Sequence, residues 1–546
     1  MNEIGNKFML EVFVWRTVSS QFGCILTLPI SVLTYHLFAS GIDPLSAIKA
    51  TSCCLVLLSF WFYMIILGAV TLAVSIVSWK HFSVIPTIYT TRLTALWNLA
   101  RPDRFLYAIG HSLAGCVCGW CATNLIKGRY MNLTVSCASD SDALCLNEYH
   151  LFLVCYGAFV GFVYGVCFFY RRDYWMGFPH IQQPRFFQIK HRMIVIIQRA
   201  ARRSFRQLRY FYLIYFFLGG VPKGWILRAL GLSEKISLTS LWGITDLALL
   251  WQTFLLGSFI NMAWLFGVLF FKVYNTQSYV FPIESVMESD INCCLHNALA
   301  CSKQPLVQYL AFHDLCQLSK YSQERRKQVF SLSQPGGHPH NLNNIVKECL
   351  SVIKDMSLTL TEFNNEHSSS CMRQVPDRIQ LMSPKGIPSA PKDAVPHNYL
   401  DKLLAALKKH PLAEFFLAEI AYMQSRKLFA NAQLQIWASD ALTALVVASY
   451  SEDEYGVVQQ WLPDILASLL TLQEAVDKHF KLTTSIWKKP TLTSTDSGLV
   501  LLRLSLRQNL KSSIYRITAK FKDHLHDISL GSEHHRRLNF FLENKE

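Results

Sequence analysis

Apolar residues gather into long blocks in the first half of the chain and into short periodic stripes in the second. Six blocks come close to the roughly 20 apolar residues that a helix needs to cross a hydrocarbon core about 30 Å thick. They lie at 21–40, 52–78, 105–126, 150–170, 210–227 and 247–271. The fifth is interrupted by Gly219-Gly220-Val221-Pro222-Lys223, a sequence that kinks a helix or turns it back. Beyond about Thr276 the pattern becomes that of amphipathic helices. Leu306, Leu310, Phe312, Leu315 and Leu318 mark one, and Leu342, Ile345, Val346, Cys349 and Ile353 a second. Leu462, Ile465, Leu469, Leu472, Val476 and Phe480 mark a third, and Leu502, Leu506, Leu510, Ile514, Ile517, Phe521 and Leu525 a fourth. Serines and prolines crowd 366–398, as a flexible linker requires, and almost nothing alternates as a strand. The pattern predicts an α-helical membrane protein with six transmembrane helices followed by an all-α cytoplasmic domain. Its parts are a cytoplasmic N-terminus (1–20), a six-span domain (21–272), a first helical segment (273–365), the linker (366–397) and a C-terminal helical domain (398–546).

Composition agrees. Of 546 residues, 51% are hydrophobic and only 16% charged, and the mean hydropathy is +0.23. The basic residues set the orientation, because short loops rich in Lys and Arg stay on the cytoplasmic side. The loop after the second block carries Lys80, Arg92, Arg101 and Arg104, and the loop after the fourth carries nine, from Arg171 to Arg206. The first loop has only Asp43 and Lys49, while the third balances Lys127 and Arg129 against Asp140, Asp142 and Glu148. Loops two and four, and with them both termini, are therefore expected in the cytoplasm. Asn132-Leu133-Thr134, a glycosylation sequon, falls in the third loop, on the luminal side. Cys137 and Cys145 share that loop, where they form either a disulfide or two free thiols.

Within the blocks as drawn there is no Asp or Glu, so a transporter or a proton pump has little to work with. Lys223 is expected to snorkel from a helix end. His36 and His111 read as neutral rings bonded to helix carbonyls. The sulfurs of Cys116, Cys118 and Cys121 would point in different directions from a helix, against a metal site. Gly157, Gly161 and Gly165 recur every four residues and would let another backbone approach, from this chain or a second copy. The segment around Phe186, Met193, Ile194, Ile197, Ala201, Phe205 and Leu208 reads as a basic amphipathic helix lying at the membrane interface, in contact with membrane lipids. Pro335-Gly336-Gly337 reads as a turn with Asn341 capping the next helix, rather than a metal or phosphate site built on His338 and His340. In the final helix, Arg503, Arg507 and Lys511 form a basic ridge beside the stripe, with no acidic residue between Gly498 and Lys522. Such a ridge is a candidate for docking an acidic partner or anionic lipid, whereas the stripe itself suits an internal core.

Several longer motifs carry a resemblance. "CLNEYHLF" at 145–152, "VFSLSQPGGHPHN" at 329–341, "LLTLQEAVDKHFKL" at 469–482 and "IYRIT" at 514–518 resemble the transmembrane nucleoporin of the Ndc (nuclear division cycle) family, in order and over essentially the whole chain. The segment 366–398 is shorter than vertebrate members lead one to expect, and Leu342 stands where the family tends to have an aromatic. The resemblance implies a scaffold that anchors the nuclear pore complex in the nuclear envelope and supports pore assembly. Its helical C-terminal half would recruit soluble nucleoporins, among them the WD-repeat protein Aladin and the RRM-bearing linker nucleoporin, alongside other pore-membrane proteins. The family brings no catalytic residue, cofactor or metal, and direct nucleic-acid binding is not expected. The alternative from another class is a multi-pass ER transporter or lipid-modifying enzyme.

Overall fold

Long apolar runs without Asp or Glu leave the backbone no partner but itself in hydrocarbon, and four of the six fold as continuous helices. The computed structural model describes residues 8–40, 44–137, 144–179, 182–234, 238, 246–284, 294–332, 337–372, 415–418, 421–486 and 497–543. Among the described residues five helices are long and apolar enough to cross a membrane, and a sixth candidate is bent. They are α1 (Val14–Ala39), α3 (Leu58–Trp79), α5 (Pro102–Ile126), α6 (Glu148–Tyr170) and α9 (Leu247–Asn275). The bent candidate joins α7 (Arg185–Leu218) to α8 (Gly220–Leu230) at 58°. Shorter helices α2 (Pro44–Val56) and α4 (Arg92–Leu99) accompany them.

The chain divides into two compact units, 7–84 with 98–277, and 85–97 with 278–546. In the first, α9 is the central helix, packed on α1, α6 and α7, while α5 pairs with α6 along its length. Leu256, Ile260, Leu265 and Tyr156 fill the space around it. Outward-facing Trp15, Phe22, Leu26, Ile65 and Leu113 are exposed, as side chains that meet lipid must be.

Several boundaries differ from expectation for local reasons. The first helical run begins at Met9, not near residue 21, because Phe13 packs its ring against Phe271 (6.0 Å) and Trp79 (6.4 Å). The second block is split at Leu57, whose extended backbone (ψ 128°) separates α2 from α3. A small sheet escapes the alternation test because its strands have two or three residues. β1 (Thr134–Ser136) pairs antiparallel with β2 (Leu144–Leu146), which pairs parallel with β3 (Ser233–Glu234). A Cys137–Cys145 disulfide closes the β1–β2 connection.

The second unit is built from α10 (Leu295–Leu299), α11 (Pro305–Tyr321), α12 (Gln323–Phe330), α13 (His340–Met372), α14 (Ala421–Leu428), α15 (Ala432–Glu452), α16 (Val457–Ile486), α17 (Ser497–Lys520) and α18 (Ser532–Glu543). α15 lies among α11, α13 and α17, and α13 packs along α16. The unit begins at 278 rather than 273. It also takes in 85–97, where Arg92 donates to the Phe415 carbonyl (2.8 Å) and stacks over its ring (3.9 Å).

α13 runs to Met372, past the expected linker boundary at 366. Polar side chains in its last turns bond back to the helix: the His367 ring meets the Phe363 carbonyl (3.0 Å), and Ser368 donates to Asn364 (2.8 Å). Most of the expected linker lies outside the described residues, as do Gln334, Pro335 and Gly336. Gly337 is left-handed (φ 64°), as the turn reading requires. Asn341 does not cap α13. It lies in the first turn and donates to the Glu284 carboxylate instead. Leu342 is buried in the core.

Candidate functional site

The three glycines of α6 face α5 of the same chain. A Cβ at Gly161 would stand 2.6 Å from the His111 carbonyl carbon, and one at Gly165 would stand 2.7 Å from Ala108 Cα. Gly157 is matched by Gly115, whose own Cβ would lie 2.9 Å from the Gly157 carbonyl carbon. With no side chains between them the two backbones touch, and Ser112 on α5 donates across the seam to the Ala158 carbonyl (3.0 Å). His111 turns Nδ1 to the Tyr107 carbonyl (2.9 Å), while the ring of His36 is bracketed by Thr51, Ser40 and Cys54. Among the described residues no group of three or more His, Cys, Asp or Glu is placed to hold a metal ion.

At the end of this bundle that carries the sheet, the structure contains an ionic group that the hydrophobic blocks did not reveal. α6 begins at Glu148, two residues before the drawn block, and Glu148 is 2% exposed. Its carboxylate accepts from Lys223 Nζ (3.2 Å), the Tyr215 hydroxyl (3.1 Å) and the Leu238 amide (2.9 Å). Lys223 does not snorkel, because its ammonium is held inside by this carboxylate. The pair joins the first turn of α6 to α8 just past the bend, and with its lone pairs satisfied it reads as architecture. Nearby, Asn132 is exposed and left-handed (φ 62°), and its carbonyl accepts from Asn147 (3.0 Å).

The basic segment is not a separate interfacial helix. α7 runs unbroken for 34 residues into the fifth block, because Ile196, Ala200, Ser204, Gln207, Phe211 and Tyr215 form one inward stripe along it. On this stripe Gln207 accepts from Asn261 (2.7 Å), and Arg203 pairs with Asp173 (2.8 Å). The expected apolar stripe is split: Leu208 is buried, while Phe186, Met193, Ile194, Ile197 and Phe205 are exposed. Arg192, Arg199, Arg202, Arg206 and Arg209 share a different face from the inward stripe.

In α17 the stripe Leu506, Leu510, Ile514 and Ile517 is fully buried. The neighbouring ridge is largely used within the unit. Arg507 donates to Asp477 on α16 (2.6 Å), and Arg503 stacks over Phe480 (4.0 Å) and donates to Thr483 (2.5 Å). The charge relief missing from α17 thus comes from α16. Lys511 alone of the three is well exposed, in a groove shared with α16 and α18.

The family model described as Nucleoporin protein Ndc1-Nup matches residues 11–398 and 376–539. Nucleoporin NDC1 of Homo sapiens is 30% identical, covering 98% of this chain and 97% of its own length. The Danio rerio relative is 30% identical over 99% of each chain, and the Xenopus laevis one 32% over 86% and 88%. The human alignment runs over 657 positions against 546 residues here, so that relative carries residues with no counterpart in this chain. The spanning bundle, the all-helical second unit and a match along the whole sequence lead to one assignment: the chain belongs to the Ndc1 family of nucleoporins, membrane proteins of the nuclear pore.

Proposed function

We propose that this protein is a scaffold of the pore membrane: its helical bundle anchors the nuclear pore complex, and its second unit recruits soluble nucleoporins during pore assembly. The observation that carries the reading is the pairing of a lipid-facing bundle with a separate helical unit in a chain that matches nucleoporins along its length. The partners are soluble nucleoporins, including the WD-repeat protein Aladin and the RRM-bearing linker nucleoporin, together with other pore-membrane proteins. The alternation of basic loops supports both termini on the cytoplasmic or pore side, and the arginines along α7 suit anionic head groups. Selective permeabilisation of the plasma membrane tests the topology, since antibody should reach a tag at either end. Depletion of the protein tests the scaffold, because pore density should fall and Aladin should leave the nuclear rim. A protected C-terminal tag, or normal pores and partners after depletion, would overturn the reading.

A further inference from the structure

The outer face of the C-terminal helices carries exposed apolar and basic side chains around a groove. Along α17, Leu501, Leu504, Gln508, Lys511 and Tyr515 follow at three- and four-residue spacing, the rhythm of a coiled-coil contact. No helix of the described residues covers them: Leu501 is 60% exposed, Leu504 49% and Tyr515 46%. The buried stripe of the same helix, from Leu506 to Ile517, points elsewhere, so the seam is a second, mixed line with apolar ends and Gln508 and Lys511 between them rather than the edge of the core. α18 sets Phe540, 63% exposed, and Phe541 beside it, and α16 contributes the opposite wall. Between them lies an open groove of about 1190 Å³. Exposed aromatics gathered around a concave surface mark an interaction site.

The charge of the groove selects the occupant. Five cations line it (Lys478, Lys481, Lys511, Arg536 and Arg537) against two carboxylates, Glu474 and Asp477. Both carboxylates are already engaged, Glu474 by Arg537 (2.8 Å) and Asp477 by Arg507 (2.6 Å). A second copy of this seam would oppose like charges. Residues 373–414 of this chain hold seven Lys and Arg against four Asp and Glu, so they mismatch too. We propose that the groove formed by α16, α17 and α18 binds an acidic amphipathic helix from a soluble partner, its apolar side on Tyr515, Phe540 and Phe541 and its carboxylates near Lys511 and Arg536. This rests on the reading that the second unit recruits soluble proteins, and gives that recruitment a place and a chemistry.

The test uses the full chain in phosphatidylcholine nanodiscs and a fluorescent designed helix with Leu at heptad positions a and d and Glu at e and g. Fluorescence anisotropy should detect binding that weakens as salt rises, while the same peptide with Lys for Glu should bind at least tenfold more weakly. Tyr515→Ala with Phe540→Ala, and separately Lys511→Glu with Arg536→Glu, should each weaken the acidic peptide at least tenfold. Unchanged size-exclusion and circular dichroism profiles will show that the variants fold, and Tyr455→Ala, an exposed aromatic outside the groove, should bind as wild type does. Equal binding of both peptides, or wild-type affinity in both double variants, would overturn the proposal. So would displacement of the peptide by phosphatidylserine vesicles with equal effect on wild type and variants, which would make a membrane surface the occupant. Loss of pores on depletion is read independently, so failure of the scaffold reading and failure of the groove leave different results.

Discussion

Replacing Gly161 by alanine adds one methyl group, and its effect can be worked out from the α5–α6 contact. The new Cβ would lie 2.6 Å from the His111 carbonyl carbon and 3.0 Å from Ser112 Cα, whereas ordinary contact begins at 3.4 Å. The His111 carbonyl oxygen lies closer still, so the helices must part by at least 0.8 Å, the difference between 3.4 and 2.6 Å. A gap of that size forfeits between a quarter and a half of the dispersion energy at each atom pair it opens. The neighbouring Gly157 and Gly165 contacts, equally close, cannot stay in place while Gly161 moves. Overpacking on this scale costs about 1–3 kcal/mol, and the top of that range applies because the obstacle is backbone. Gly110 on α5 supplies the control, since a Cβ there meets nothing within 4 Å. Alanine at Gly110 should be neutral or stabilise by up to about 1 kcal/mol through helix propensity. Thermal unfolding of the full chain in nanodiscs should separate the two alanines by roughly 2 kcal/mol or more. Equal midpoints for Gly161→Ala, Gly110→Ala and wild type would refute the argument that this seam is packed backbone to backbone.

Three further outcomes are expected. Glu148→Gln strands the Lys223 ammonium in a buried site and should destabilise the bundle by about 3–5 kcal/mol, with Glu148→Gln/Lys223→Met recovering part of the loss in a double-mutant unfolding cycle. His479 is fully buried between Ser425 (2.9 Å) and Asn364, and burial, helped by Arg503 and His367, pushes its imidazole down to about 3. The unfolded chain then takes up a proton below about 6.5 that the folded chain refuses, so stability is complete above that pH. It falls by up to about 1.4 kcal/mol per pH unit towards 3, and His479→Gln should flatten that slope in pH-dependent unfolding. Asn132 should be glycosylated in cells, so Asn132→Gln should abolish any mobility shift on endoglycosidase treatment; an unmodified wild type expressed in the ER would contradict the luminal placement of its loop.

The apolar blocks were legible because hydrocarbon tolerates few alternatives to a helix, and the α17 stripe because 3.6-residue periodicity survives in a core position. What the chain conceals is contact between residues far apart in sequence. The spacing of Arg503, Arg507 and Lys511 shows three like charges on one face, yet Asp477, thirty residues before Arg507, decides that Arg507 is tied inward. Reversing all three charges would therefore disturb the unit itself and could not isolate a docking surface. Glu148 escaped because hydropathy draws the block from residue 150, and the acid that matters sits one half-turn outside it. The glycines announced a close approach but not its partner, which required Gly115 and His111 to be found opposite them. On α7 composition alone suggested two segments, a basic one and an apolar one, whereas the inward stripe from Ile196 to Tyr215 makes them a single rod.

That rod has a mechanical consequence. Thirty-four residues rise about 51 Å at 1.5 Å each, and even a 40° tilt leaves about 39 Å along the membrane normal, more than the roughly 30 Å of hydrocarbon. One end must project through the head-group layer, and the basic residues of this helix run from Arg185 to Arg209, leaving only 210–218 as its apolar end. α7 therefore works as a depth gauge: sinking it further would drag guanidinium groups into the acyl chains, and raising it would pull the Leu213, Phe216 and Phe217 side chains out into water. A membrane that thins or bends beside the protein would shift this balance, so the vertical position of the whole bundle is coupled to the local thickness of the bilayer through one helix.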